Sequence, residues 1–180
     1  AKCALPFTLT PRNPHNATLL IFHGAGKDLA DVQDQLALIS QLFRARLLLF
    51  DYPGYGLNRN PPDTSLSATV SAVISFAKKH GYREERIILF GYEHGCGPAL
   101  AVAHEVAAQK RAALRTDCSG IILFYPVDTT PLGYPLDFPE LYNETQNVTY
   151  FRVLLFTSTK DEEFRESKRL KKLKHDAAWE

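Results

Sequence analysis

Five stretches of the chain are nearly continuous runs of apolar residues, each short and followed by turn-forming residues. The runs are Thr18–Phe22, Arg46–Phe50, Ile87–Phe90, Ile121–Tyr125 and Tyr150–Phe156. Short runs without polar alternation are typical of strands that are buried on both faces, as in a parallel sheet covered by helices on each side. The pattern therefore predicts a doubly wound α/β domain with at least five parallel strands and helices on both faces.

Helical periodicity separates these runs, with apolar residues at steps of three and four. The predicted core faces of the first two helices are Leu29, Val32, Leu36, Ile39 and Phe43, and then Leu66, Val70, Val73 and Ala77. Asp28 is a suitable N-cap for the first helix, and Gly81 is placed to end the second. A third helix is predicted from Pro98 to about Arg111, and a charged helix from Glu162 onward.

The chain is predicted to be a single domain over 1–180, with its core at about 18–161 and the charged C-terminal helix at 162–180. Its 180 residues are 45% hydrophobic and 23% charged, which is typical of a soluble globular domain. Lys and Arg number 21 against 20 Asp and Glu, so no nucleic-acid partner is expected. No apolar run approaches the roughly 20 residues that cross a bilayer.

The three cysteines, Cys3, Cys96 and Cys118, do not form a disulfide framework and favour a cytoplasmic or organellar location. Three N-x-[ST] sequons, at Asn16, Asn143 and Asn147, leave a secretory location open. The sequence alone does not decide between these compartments.

The most informative local pattern is Gly91-Tyr92-Glu93-His94-Gly95, which stands between a predicted strand and a predicted helix. It matches the nucleophile elbow G-x-S-x-G, in which the central serine projects from a sharp strand-to-helix turn. Here a glutamate occupies the central position. The chain therefore has the frame of a nucleophilic site without its usual nucleophile.

Further motifs follow the other strands in order: His23-Gly24-Ala25-Gly26, then Asp51-Tyr52-Pro53-Gly54-Tyr55-Gly56, then the elbow, then Thr159-Lys160-Asp161. The series resembles the α/β-hydrolase superfamily, in particular the branch of acyl-protein thioesterases and related serine peptidases and esterases. The resemblance extends from about Thr18 to Asp161. It implies that the strands lie in the spatial order second, first, third, fourth, fifth along the chain.

The resemblance also implies roles for single positions. Glu93 stands at the nucleophile position, and Asp161 at the position of the acid that orients the catalytic histidine. Ala25 and His94 stand where backbone N–H groups form the oxyanion hole, which stabilises the charge that develops on the acyl oxygen. The family histidine, which follows a further strand, has no counterpart, because His175 alone follows Asp161 and lies in a lysine-rich helical pattern.

Elementary chemistry argues against a simple replacement of the missing residues. A glutamate is already ionised near pH 7, but an ester formed on Glu93 needs an activated water for its hydrolysis. Cys96 lies beyond the turn and is not a substitute. No cofactor is predicted, because Gly24-Ala25-Gly26-Lys27 fails both the phosphate-loop and the dinucleotide patterns. No spacing supports a metal site built from His23, Glu93 and His94.

The leading hypothesis is a catalytically inactive α/β-hydrolase-like protein that serves as a binding or structural subunit with a protein partner. The alternative is an ester or thioester hydrolase whose further C-terminal sequence supplies the catalytic histidine. The basic residues of the tail are candidates for weak contact with a membrane or another anionic surface. They are Lys168, Arg169, Lys171, Lys172 and Lys174.

Overall fold

The structure is a computed structural model, and it describes residues 17–24, 26–61, 66–83, 86–110, 120–126 and 152–156. Its strands are β1 (Thr18–Phe22), β2 (Arg46–Leu49), β3 (Ile87–Tyr92), β4 (Gly120–Phe124) and β5 (Arg152–Phe156). Its helices are α1 (Leu29–Phe43), α2 (Leu66–Lys79) and α3 (Cys96–Lys110), and a 3-10 turn at Glu93–Gly95 joins β3 to α3.

The five strands form one sheet in the order β2-β1-β3-β4-β5. Every pairing is parallel, with Thr18 opposite both Arg46 and Ile87 at the start of β1. The predicted parallel sheet and its strand order are confirmed. The order reverses between β1 and β3, so the loops that follow these two central strands meet at one edge of the sheet, where ligands bind in this class of fold.

Helices cover both faces of the sheet, as predicted. Val32 and Leu36 of α1 pack with Leu19, Ile21, Leu47 and Leu49 on one face. On the other face, α2 and α3 pack on the alternate strand residues. The buried residues of that second core include Leu20, Phe22, Leu48, Val70, Val73, Leu89, Ala99 and Leu100.

The helix ends follow the local sequence signals. Asp28 and Asp31 accept hydrogen bonds from each other's backbone N–H at 3.2 and 3.1 Å, a reciprocal cap that confirms Asp28 at the N-terminus of α1. At the end of α2, Gly81 has a φ of 80°, and the N–H of Tyr82 donates to the carbonyl of Ala77 at 3.0 Å. This is the glycine-ended cap predicted from the sequence.

Several element ends differ from the predicted ones. β3 continues through Gly91 and Tyr92, because these residues pair with Leu123 and Phe124 of β4. The turn of the elbow is therefore confined to Glu93–Gly95, and α3 begins at Cys96 instead of Pro98. Pro98 is compatible with the first turn of α3, because the N–H groups of that turn have no hydrogen-bond partner within the helix. β1 begins and ends where it was predicted, β2 ends one residue earlier, and β4 is displaced by one residue toward the N-terminus. The predicted start of β5 at Tyr150 lies outside the described residues.

Candidate functional site

The elbow is the best-defined part of the candidate site. Glu93 follows β3 with a φ of 49°, a left-handed backbone conformation that non-glycine residues seldom adopt. The 3-10 turn then leads into α3, with the N–H of Cys96 donating to the carbonyl of Glu93. A strained residue between a strand and a helix is the geometry by which a nucleophile elbow presents its central side chain.

Two glycines allow this turn to approach the sheet closely. A Cβ on Gly91 would lie 2.6 Å from the Cα of Cys96, at the start of α3. A Cβ on Gly95 would overlap the carbonyl oxygen of Phe22, at the end of β1. Only a residue without a side chain fits at either position, which explains the two glycines of the elbow pattern.

The Glu93 side chain is half-buried and turns toward the loop after β1. A Cβ on Gly24 would lie 3.1 Å from Oε2 of Glu93, so the carboxylate lies directly beside the backbone of Gly24. The hydroxyl of Tyr92 donates a hydrogen bond to the same carboxylate. Burial and then the nearby Glu93 charge raise the pKa of the Tyr92 phenol, which therefore stays a donor at neutral pH.

The other predicted positions are only partly within the described residues. His94 is half-buried in the 3-10 turn, next to Glu93. Ala25, Asp161, His175 and the basic tail lie outside the described residues, as do the asparagines of the three sequons. The predicted oxyanion hole and the predicted acid therefore stay predictions.

Cys96 is buried at the start of α3, and its thiol donates to the carbonyl of Phe124 at 3.6 Å. Burial raises the pKa of this thiol far above its usual range, and the Glu93 charge acts in the same direction. A thiol is nucleophilic as its thiolate, so Cys96 has no catalytic character.

His23 lies at the carboxyl end of β1 and is 2% exposed. Its Nδ1 donates to the carbonyl of Gly24 at 3.0 Å, and its ring packs against Tyr52 at a tilt of 46°, with the centroids 4.4 Å apart. Burial lowers the pKa of His23, although the Gly24 carbonyl and the Asp51 charge partly oppose this shift. The side chain is therefore neutral at pH 7, with its Nε2 lone pair available as an acceptor.

Asp51 has a structural role that the sequence did not reveal. Its Oδ1 accepts the N–H of Leu29 at 3.1 Å, and its Oδ2 accepts the N–H of Leu57 at 3.0 Å. A Cβ on Gly56, which has a φ of 48°, would overlap the Asp51 carboxylate. The Asp51–Gly56 motif thus joins its own loop to the N-terminus of α1, where a negative charge is favourable.

Tyr52 extends this framework to the site. Its hydroxyl donates to the carbonyl of His23 at 2.9 Å, which fixes the loop after β1 against the loop after β2. The contact joins residues 29 positions apart in the chain. The only feature of the sequence that could have indicated this contact is the tyrosine directly after Asp51.

The described residues contain no group of three His, Cys, Asp or Glu side chains arranged to hold a metal ion. Within the same residues, no helix has the length and apolar character needed to span a bilayer.

The buried, neutral state of His23 predicts a loss of stability in mild acid. Because the native state resists protonation, the contribution of His23 is fully present above its unfolded pKa of about 6.5 and declines as the pH falls below that value. We expect thermal melts of the wild type to show a lower Tm at pH 5 than at pH 7.5. His23→Gln should flatten this dependence.

The exposed His80 provides the matched control for this experiment. His80→Gln should retain the pH dependence of the wild type. An equal loss of Tm in acid for His23→Gln and the wild type would show that other groups cause it.

Proteins that are named as α/β-hydrolase domain proteins are similar to this chain in sequence. No protein-family model matches the chain. The chain is 30% identical over 95 residues to alpha/beta hydrolase domain-containing protein 17B of Homo sapiens, and equally to its counterpart in Xenopus laevis. The match covers 51% of this chain and 33% of either relative. The matched segment thus spans about a third of the length of these curated relatives.

Solved esterase structures share the fold at low sequence identity. Carboxyl esterase 2 of Tuber melanosporum superposes with a TM-score of 0.61 at 15% identity, over 93% of this chain and 68% of that one. A Bacillus cereus carboxylesterase superposes with a TM-score of 0.59 at 14% identity, over 94% of this chain and 92% of that one. At such identities the likeness concerns the fold alone.

Proposed function

We propose that this chain, which belongs to the α/β-hydrolase superfamily, is a non-catalytic member that acts as a binding or structural subunit. The observation that supports this proposal is the state of position 93. A carboxylate stands there in the strained elbow conformation, and Tyr92 donates a hydrogen bond to it. In this arrangement Glu93 fills the site instead of attacking a substrate.

The charge of Glu93 opposes the usual chemistry of this fold. Acyl transfer develops negative charge on the substrate oxygen, and the site must stabilise that charge with N–H donors. A carboxylate at position 93, beside Gly24, would repel such an oxygen because the two charges have the same sign. If Glu93 itself attacked, the resulting ester would persist until a base activated a water molecule.

Neither His23 nor Cys96, two titratable groups near the elbow, is suited to act as the base. His23 precedes Gly24 in the chain, but it is 2% exposed and its Nδ1 is engaged with a carbonyl. Burial lowers its pKa, which weakens it as a base. The thiol of Cys96 is buried and protonated. We therefore propose that the site has lost turnover while the fold has been retained.

The partner that we propose is a protein. The basic residues predicted on the tail helix, Lys168 to Lys174, are candidates for contact with an acidic surface of that partner. This part of the proposal rests on sequence alone, because the tail lies outside the described residues.

A second function is favoured by the retained elbow geometry, namely an ester or thioester hydrolase completed by further sequence. The positive φ of Glu93 and the two close glycines are costly features that a purely structural turn does not need. A histidine that follows a further strand would supply the missing base. The relatives that are named as hydrolase domain proteins extend well beyond the matched segment.

Catalytic assays distinguish the two functions. We expect the wild-type chain to hydrolyse short-chain esters and thioesters at the background rate, and to resist labelling by a fluorophosphonate. Glu93→Ser should recover little activity, because a hydroxyl without a base is a poor nucleophile. Turnover by the wild type that Glu93→Gln abolishes would contradict the proposal and favour the hydrolase.

A further inference from the structure

The face of the sheet against which α1 packs is covered unevenly. Over the central strands, side chains of this face such as Ile21 and Phe90 are 1% and 0% exposed. Toward the β5 edge, the same face carries Phe124, Leu154 and Phe156, which are only half-buried. The strands of a parallel sheet are normally buried on both faces. The described residues therefore cover the β4–β5 part of the α1 face incompletely.

The opposite face of β4 is already covered. Ile121 and Leu123 belong to the core beneath α2 and α3, and they are 1% and 0% exposed. Both helices lie on that face because crossovers that step along the sheet from β2 toward β5 are right-handed. The same rule places the connection from β4 to β5 on that face. The crossovers of this sheet thus leave the α1 face of β4 and β5 open.

The open strip and the flank of α1 form a groove. Leu38 and Leu42, one helical turn apart, are 69% and 75% exposed. Leu38 and Tyr92 line one cavity of about 320 Å³, so this flank adjoins the end of β3. From Tyr92, the rings of Phe124 and Phe156 continue in register across β4 and β5, with neighbouring centroids 6.1 and 5.3 Å apart. We call this surface, bounded by these five residues, the aromatic groove.

The groove has room for one helix. Neighbouring strands lie about 4.8 Å apart, so the two open strands provide a width of roughly 10 Å. That is the diameter of a helix with its side chains and the usual distance between packed helices. A second helix beside α1 would complete the cover of this face.

The segment that follows β5 is well placed to supply this helix. The chain leaves the sheet at Phe156, whose ring is itself part of the aromatic groove. Residues 157–161 then lead to 162–180, for which the sequence predicts a helix, and loops of this length are common between a strand and a helix. Leu170, Leu173 and Ala177 recur at steps of three and four, so a helix would present them as one apolar stripe.

We propose that residues 162–180 dock as a helix in the aromatic groove, with Leu170 and Leu173 against the sheet and α1. The basic residues from Lys168 to Lys174 then lie along the outer side of this helix, where they remain available to an acidic partner. The inference goes beyond the proposed function, because docking requires neither the presence nor the absence of catalysis at Glu93.

Hydrogen exchange of the full chain, measured by mass spectrometry on peptides from 162–180, tests the docking. A helix of this length is marginal in water by itself, so an undocked tail should exchange nearly as fast as an unfolded peptide. We expect the amides of the wild-type tail to exchange at least about tenfold more slowly than that. The protection should not change when the protein is diluted.

Two exposed leucines provide the matched comparison. Leu38→Gln places an amide on the flank of the groove and should reduce the protection of the tail several-fold. Leu57 is 75% exposed and belongs to neither core nor the groove, so Leu57→Gln should leave the protection unchanged. Both substitutions are at exposed sites and should leave the fold intact. Within the tail, Leu173→Gln should reduce the protection, whereas Lys172→Gln should not.

Three results would overturn the proposal. Unprotected tail amides in the wild type would show that the tail does not dock. Equal effects of Leu38→Gln and Leu57→Gln would place the tail elsewhere, for example on the face of α2 and α3. Protection that disappears on dilution would show that the groove holds a second copy of the chain. Since the readout is the exchange of tail amides, failure here is distinguishable from the appearance of ester turnover.

Discussion

Gly95→Ala is expected to destabilise the domain by about 3 kcal/mol or more, because the new methyl group has no space. Its Cβ would overlap the main-chain oxygen of Phe22, which lies in the central strand β1. A flexible side chain could rotate away from such a contact, but a paired strand cannot. Denaturant unfolding should show a large decrease in the transition midpoint with an unchanged slope.

Gly81→Ala is the matched control, since it adds the same methyl group at a glycine with open space around it. Gly81 has a φ of 80° and no heavy atom within 4 Å of the added Cβ. Its substitution should cost about 1–2 kcal/mol, the penalty of a left-handed conformation alone. Equal losses for the two variants would contradict the close approach of the elbow to β1.

The architecture was predictable because it follows from patterns that act locally. Continuous apolar runs such as Thr18–Phe22 indicated strands that are buried on both faces, and the structure confirms this burial. The periodic face of α1 and the glycine after α2 were likewise visible in the sequence. The strand order followed from the series of motifs, since those motifs occur on known strands of a recognised fold.

The contacts that position the site were not predictable, because they join residues that are distant in the chain. Nothing local to Asp51 indicates that its carboxylate accepts the N–H of Leu29, 22 residues earlier. The same holds for the hydrogen bond from Tyr52 to the His23 carbonyl. The length of β3 was underestimated for a related reason. The sequence pattern assigns Gly91 and Tyr92 to the turn, but in the structure they pair with β4 and so belong to the strand.

The cavity of about 320 Å³ that lies beside α1 and is lined in part by Ile21, Val32 and Leu36 was also invisible to sequence analysis. Its wall residues, such as Val32 and Leu36, were correctly assigned to the core face of the helix. A helical pattern states which side chains turn inward, but it does not state how completely they fill the space beneath them. The cavity is a property of how these side chains pack, and only the structure reveals it.

The last prediction contrasts a core residue with the residue at the elbow. Leu89 lies in the centre of β3 with 0% exposure, so Leu89→Ala should leave a cavity and cost about 2–5 kcal/mol. Glu93→Ala should cost about 1 kcal/mol or less. The carboxylate is half-buried, and the Tyr92 hydroxyl that it releases, itself on a half-buried side chain, can donate to water.

Chemical denaturation of the two variants measures both losses on one scale. The comparison is informative because the two residues lie four positions apart on the same segment, one serving the fold and the other the site. A loss of several kcal/mol for Glu93→Ala would contradict the proposal that the carboxylate merely occupies a former active site. It would instead make Glu93 a structural residue of the elbow, selected for the contact with Tyr92 and the backbone of Gly24.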